Sequence, residues 1–344
     1  MCDKLILQDA MIIDYLQDQY GLQVVEIDFL PQGGDINAAV YRVTTKGNGQ
    51  YFLKLLRGVF DEISVMVPRF LSDLGIRQII APIATIDHRL WTQLQSFNVT
   101  LYPFVDGPNA FETALTELQW LDFGAALRGI HTAVVPPEFD RRVQHEVYSP
   151  HWRERVRKLL VRAKKEHFDD PIAAELAGLM AIKADEILSL VQKAELLCSV
   201  LKVQGPKFVL CHSDIHAGNL LIDAKGSLFI IDWDHPVLAP KERDLMFIGG
   251  GVGSNWYRPQ EEILFYEGYG RTDINYVALA YYRFERIVQD IAEWGERVLL
   301  IDEGGKDRAR ALQGFNRWFS PNDVVEMAYR AENSLPPELL SRLA

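Results

Sequence analysis

Cysteine is scarce in this chain. Cys2, Cys198 and Cys211 are its only three, with no C-x-x-C and no regular spacing, which excludes a disulfide framework or a structural zinc site and points to a reducing compartment. Long apolar runs are missing too: none approaches the roughly 18 residues a membrane span needs. The start, MCDKLILQDA, lacks a basic region followed by a long apolar core. The expectation is a cytoplasmic protein with no membrane association. Positive charge is also short, 36 Lys and Arg against 47 Asp and Glu, a net −11. That balance disfavours a nucleic-acid partner, whose phosphates need clustered Lys and Arg, and suits a small cationic ligand.

The chain is well supplied with apolar residues, 48% of 344. That length and content suit two lobes sharing one cleft, each with its own core. The densest concentration of chemistry is residues 209–234, VLCHSDIHAGNLLIDAKGSLFIIDWD. Short β-prone apolar runs at 208–211, 220–222 and 228–231 surround a polar loop, 212–219, and a turn at Gly226. This reads as strand, loop, hairpin, acid. Asp214 stands five residues before Asn219, and Asp232 eighteen after Asp214. Phosphoryl transfer needs such a set: one carboxylate to orient a hydroxyl and accept its proton, and an amide oxygen and a second carboxylate for magnesium. The motif alone leaves a metal-dependent hydrolase open, because His212, Asp214 and His216 alternate as loop ligands can.

His212, Asp214, Asn219 and Asp232 form H-x-D-x-x-x-x-N followed by I-D, and at these residues the chain resembles the aminoglycoside phosphotransferase family, a small-molecule branch of the kinase-like fold. The stretches YSPHWRERVRK, VLCHSDIHAGN and APKERDLMFIGGGVG carry the resemblance furthest, and it covers most of the chain. It implies an α+β, two-lobe protein-kinase-like fold. Residues 1–104 would be a small nucleotide-binding lobe with a five-stranded antiparallel sheet. Residues 105–344 would be a larger, mostly helical catalytic and substrate-binding lobe, with a hinge at about 102–108. It implies a monomer that uses ATP and Mg2+ to phosphorylate a hydroxyl of a small cationic aminocyclitol. Asp214 would be the catalytic base, and Asn219 and Asp232 the metal ligands. Another small amino alcohol or a sugar metabolite is the alternative acceptor, since these motifs address ATP and not its partner.

Read in order, residues 9–20 carry Ile12, Ile13 and Leu16 at helical spacing and stop at Gly21. Extended runs follow at 24–30, 38–45 and 50–55, a meander. Gly33 and Gly34, between the first two, would let backbone amides approach a phosphate, although the full G-x-G-x-x-G is missing. Lys54 occupies the third strand, where a kinase-like fold places the lysine of the α- and β-phosphates. Its expected acidic partner is Glu62, then Asp61, on a helix at 61–74 that Pro68 should kink or divide. Further strands are expected at 83–86, 89–95 and 100–104. Tyr102, Phe104 and Val105 then fall where such a fold holds adenine.

Beyond the hinge the period becomes helical. Thr116 and Gln119 suggest a capping box for a helix at 116–131. Residues 149–165 read as a basic helix with a solvated face, and 171–203 as a long helical stretch. Asp244 matches the family acid that braces the catalytic loop. A helix at 281–300 carries a stripe of Ile287, Ile291, Trp294 and Val298. Its Asp290 or Glu293, with Tyr282 or Trp294, are candidates to border a pocket for an amine.

Overall fold

Ile12 and Leu16, one helical turn apart, are fully buried, and that apolar stripe docks the first helix. The computed structural model describes residues 7–31, 37–250, 256–301 and 305–343. They form two compact units, Met1–Val143 with Asp214–Pro236, and Gln144–Ser213 with Val237–Ala344. Helix α1 (Asp9–Tyr20) ends on Gly21, whose left-handed φ of 68° lets its N–H reach the Gln17 carbonyl at 2.9 Å. Strands β1 (Val24–Leu30), β2 (Ala38–Thr45) and β3 (Gln50–Arg57) are followed by α2 (Ile63–Asp73), β4 (Thr92–Leu94) and β5 (Phe97–Pro103). All five strands are antiparallel, in the order β1-β2-β3-β5-β4. Tyr41, Val43, Leu53, Leu55, Val99 and Leu101 form one core with Ile12 and Leu16. Alternation along β3 therefore turns Lys54, between buried Leu53 and Leu55, to the opposite face of the sheet.

Two local expectations fail here. Residues 83–86 are not a strand: after Ile83 N–H bonds the Leu101 carbonyl at 2.7 Å, the chain turns back through Thr85 N–H to the Arg89 carbonyl at 2.8 Å. Pro68 does not divide its helix, because Val65, Val67, Pro68 and Leu71 are all buried and hold α2 together across the missing donor.

The same unit contains α3 (Glu117–Thr132), with the expected Thr116–Gln119 capping box, and α4 (Pro137–Asp140). The chain then forms β6 (Gln144–His145), α5 (His151–Lys165), α6 (Pro171–Ile182), α7 (Ala184–Gln204) and β7 (Val209–Cys211) in the second unit. It returns to the first unit for the hairpin β8 (Leu220–Ile222) and β9 (Leu228–Ile230), turned at Gly226 with φ 83°. Gln119 Nε2 donates to the Gly226 carbonyl at 2.9 Å, tying α3 to this turn. Ile222 N–H bonds the Pro108 carbonyl at 2.9 Å. A Cβ at Gly107 would lie 1.8 Å from the Ile222 carbonyl oxygen. Only glycine lets segment 102–108 lie this close to the hairpin.

In the second unit β6, β10 (Val237–Ala239) and β7 form a small sheet in the order β6-β10-β7. The rest is helical: α8 (Glu242–Leu245), α9 (Pro259–Tyr269), α10 (Tyr276–Leu299), α11 (Gly305–Trp318), α12 (Val324–Glu332) and α13 (Pro337–Leu343). Ile287, Ile291 and Val298 of α10 are buried as expected, and this helix packs against α5, α6, α7, α11 and α12. Residues 171–203 are two helices, parted at Lys183, whose ψ of 6° leaves the helical region. Among the described residues no helix is long and apolar enough to cross a membrane.

The basic helix α5 is not simply a solvated face. Arg153 is 2% exposed and donates to the Tyr148 and Ser149 carbonyls at 3.2 and 2.7 Å. Arg157 makes a two-pronged pair with Glu195 at 2.7 and 2.6 Å. Arg153 Nε also lies 3.5 Å from Glu285 Oε2 on α10, yet neither atom makes a hydrogen bond. Burial pushes the Glu285 carboxyl up from an ordinary 4.5 to about 7, against the pull of Arg153. A carboxyl raised in the folded state binds its proton more tightly there than in the unfolded chain. Its ionisation therefore withdraws stability as pH rises from about 4.5 to about 7, by about 3 kcal/mol at most. The urea-midpoint difference between E285Q and wild type should shift in the variant's favour across that window; a constant difference would refute it.

Candidate active site

Lys54 is the cation of the site. Its Nζ donates to both carboxylate oxygens of Asp234, at 2.8 and 2.7 Å, with the two side chains 22% and 45% exposed. This corrects the expectation that Glu62 holds it. Glu62 stands just before the first turn of α2 and pairs with Arg142, beyond α4. Asp234 reaches Lys54 because buried Trp233 anchors the chain between two acids, its Nε1 donating to the Ile230 carbonyl at 3.4 Å. Asp234 has no place in the H-x-D-x-x-x-x-N and I-D motifs; the D-W-D pattern, an apolar anchor between two acids, is the sequence signal for it.

Tyr102 links this pair to Asp232. Its phenol is held well above the ordinary tyrosine value, first by burial and then by the negative charges of Asp234 and Asp232. Tyr102 is two residues along β5 from Thr100, which is in register with Lys54 on β3, so the ring and the lysine share one face of the sheet. Phe104 and Val105 are half-buried, and the Arg42 guanidinium lies over the Phe104 ring at 5.9 Å. Gly33 and Gly34 lie outside the described residues.

The loop after β7 is built from the backbone outward. Asp244, fully buried, accepts from His212 N–H at 2.8 Å and Ser213 N–H at 2.7 Å. These charge-assisted bonds hold Ser213 in a left-handed conformation, φ 73°. Asp214 follows, its side chain 40% exposed. Asn219 is 6% exposed, and its Nδ2 donates to the Asp214 carbonyl at 2.8 Å. That bond fixes which way the amide points and leaves Oδ1 as its acceptor atom. The Asn219 carbonyl accepts from Ile231 N–H at 3.0 Å, placing Asp232 beside it. Asp232 is exposed and has φ 67°. An aspartate tolerates that conformation where most residues would not.

Asn219 Oδ1 and the Asp232 carboxylate are oxygen donors of the kind magnesium takes, with phosphate oxygens and water completing its shell. The hydrolase alternative fares worse. His216 Nδ1 already accepts from Gly218 N–H at 3.0 Å, so that nitrogen supports the loop instead of a metal. The residues considered for an amine pocket on α10 have structural partners. Tyr282 is fully buried and donates to Glu146 at 3.2 Å, Asp290 pairs with Arg286 at 3.0 Å, Glu293 accepts from Gln289 at 2.9 Å, and Trp294 packs on Trp318 at 4.8 Å.

The signature of the phosphotransferase enzyme family matches residues 28–284. No curated protein matches significantly. The crystal structure of spectinomycin phosphotransferase in complex with ADP and spectinomycin is similar at 41% identity, covering 95% of this chain and 99% of that one, with a TM-score of 0.88. An AMP-bound complex of spectinomycin phosphotransferase is 40% identical over 94% of this chain and 98% of its own, with a TM-score of 0.83. An aminoglycoside phosphotransferase from Alicyclobacillus acidocaldarius subsp. acidocaldarius shares the fold at 14% identity, 99% and 97% coverage and a TM-score of 0.65.

Proposed function

We propose, from the premise that this chain belongs to the phosphotransferase enzyme family, that it transfers the γ-phosphoryl group of ATP to a hydroxyl of the aminocyclitol spectinomycin. The observation that carries the acceptor is 41% identity, over 95% of the chain, to a relative crystallised with ADP and spectinomycin. The net charge of −11 suits so cationic a ligand.

Each residue then has a task. Lys54, aimed by Asp234, neutralises the α- and β-phosphates, and Tyr102, Phe104 and Val105 border the adenine. Asn219 and Asp232 hold Mg2+, which when bound offsets the negative charge of the phosphate oxygens. Asp214 accepts a hydrogen bond from the acceptor hydroxyl, points its oxygen at the γ-phosphorus and takes its proton as the P–O bond forms. The leaving ADP keeps the electrons of the bond that breaks. Little covalent chemistry falls to the protein, so the rate depends on aim and charge.

We further read the protein as a monomeric, cytoplasmic enzyme whose activity would confer resistance to the antibiotic. The test is ATP consumption over a panel of amino alcohols, sugars and aminocyclitols. Turnover should be highest with spectinomycin; preference for choline, ethanolamine or a simple sugar would reassign the acceptor, and no turnover with any would reject the activity.

A further inference from the structure

His216 is a polar side chain of the 212–219 loop that the mechanism above does not use, and it is held from several directions. Its Nδ1 accepts from Gly218 N–H at 3.0 Å. Its ring stacks on Phe111, centroids 5.5 Å apart and planes 27° apart. Its carbonyl accepts from Asn219 N–H at 2.9 Å. Gly218 leaves room for the stack: a Cβ there would lie 2.8 Å from Phe111 Cε2 and 2.9 Å from His216 Cε1. Phe111 is 50% exposed, so burial is not what fixes its ring there.

These restraints determine where the imidazole proton sits. A nitrogen that accepts a hydrogen bond carries no proton, so the neutral ring carries its N–H on Nε2. That atom lies 3.7 Å from Asp214 Oδ2, beyond hydrogen-bond length but close enough for the N–H dipole to bias a carboxylate that is 40% exposed. We propose that His216 is a positioning residue: fixed by Gly218 and Phe111, it presents Nε2–H to Asp214 and holds that carboxylate in the orientation that receives the acceptor hydroxyl. The inference rests on Asp214 being the base.

Asparagine at 216 separates the hydrogen bond of the imidazole to Gly218 from its longer contact with Asp214. Its short side chain can still accept from Gly218 N–H, as asparagine commonly does at a helix start, but cannot reach Asp214. H216N should keep the wild-type thermal midpoint and KM values for ATP and spectinomycin while kcat falls about tenfold to a hundredfold, the scale of a small misplacement of reacting groups. F111L, which frees the imidazole without altering it, should show a smaller loss with the same pattern. Unchanged kcat in both variants would overturn the proposal, as would a loss confined to KM for ATP, which would make His216 a nucleotide contact. D214N, measured alongside, distinguishes the two failures. If D214N is inactive and H216N is not, only the positioning role falls; if D214N turns over normally, the base assignment falls with it.

Discussion

Asp214→Asn lowers kcat by about 10² to 10⁴-fold and leaves ATP and Mg2+ binding intact. The substitution is nearly isosteric, and the loop does not depend on the carboxylate. Asp214 enters that scaffold through its backbone carbonyl, which accepts from Asn219 Nδ2 at 2.8 Å. The preceding residues are held by Asp244. An amide can still hydrogen-bond the acceptor hydroxyl but cannot take its proton, so the loss should fall on kcat and spare both KM values. Stopped-flow or steady-state turnover with a nucleotide-binding titration checks this. Turnover at the wild-type rate would remove Asp214 from the reaction.

Asp232→Ala should be at least as damaging, about 10² to 10³-fold or more, and for a different reason. Asp232 follows Ile231, whose N–H bonds the Asn219 carbonyl at 3.0 Å, so the backbones that carry the two proposed ligands are tied together. Removing the acid leaves magnesium one protein ligand and the phosphate charge less well offset. Alanine also tolerates the left-handed φ of 67° less well than aspartate does. Asp232→Asn separates these effects, since asparagine accepts the conformation and lacks the charge. Both variants should need far more magnesium for half-maximal rate; a magnesium titration that overlays the wild type would place the metal site elsewhere.

The sequence made much of this legible where one local rule dominated. Helix α1 has its expected bounds because periodicity and the Gly21 stop agree, and the first three strands begin where β-prone runs follow turn residues in the sequence. The spacing of Asp214, Asn219 and Asp232 was readable because the loop and hairpin between them are short and locally bonded. Less was legible where long-range partners decide. Nothing near Glu62 in the chain announces Arg142, eighty residues on, and nothing near Lys54 announces Asp234, 180 residues on. Arg153 reads as one more surface cation among basic neighbours until Glu285 and two carbonyls close over it. The turn at 83–89 shows the same limit on a smaller scale, since a β-prone run was diverted by a contact with Leu101.

The account stands on the destination of one phosphoryl group. The enzyme should be incubated with magnesium, spectinomycin and ATP labelled in its γ-phosphoryl group, and the products separated and identified by mass. The label is expected on spectinomycin, as a single phosphate ester, with unlabelled ADP formed in equal amount. Label recovered only as inorganic phosphate, or left on ATP while spectinomycin stays unmodified, would contradict it.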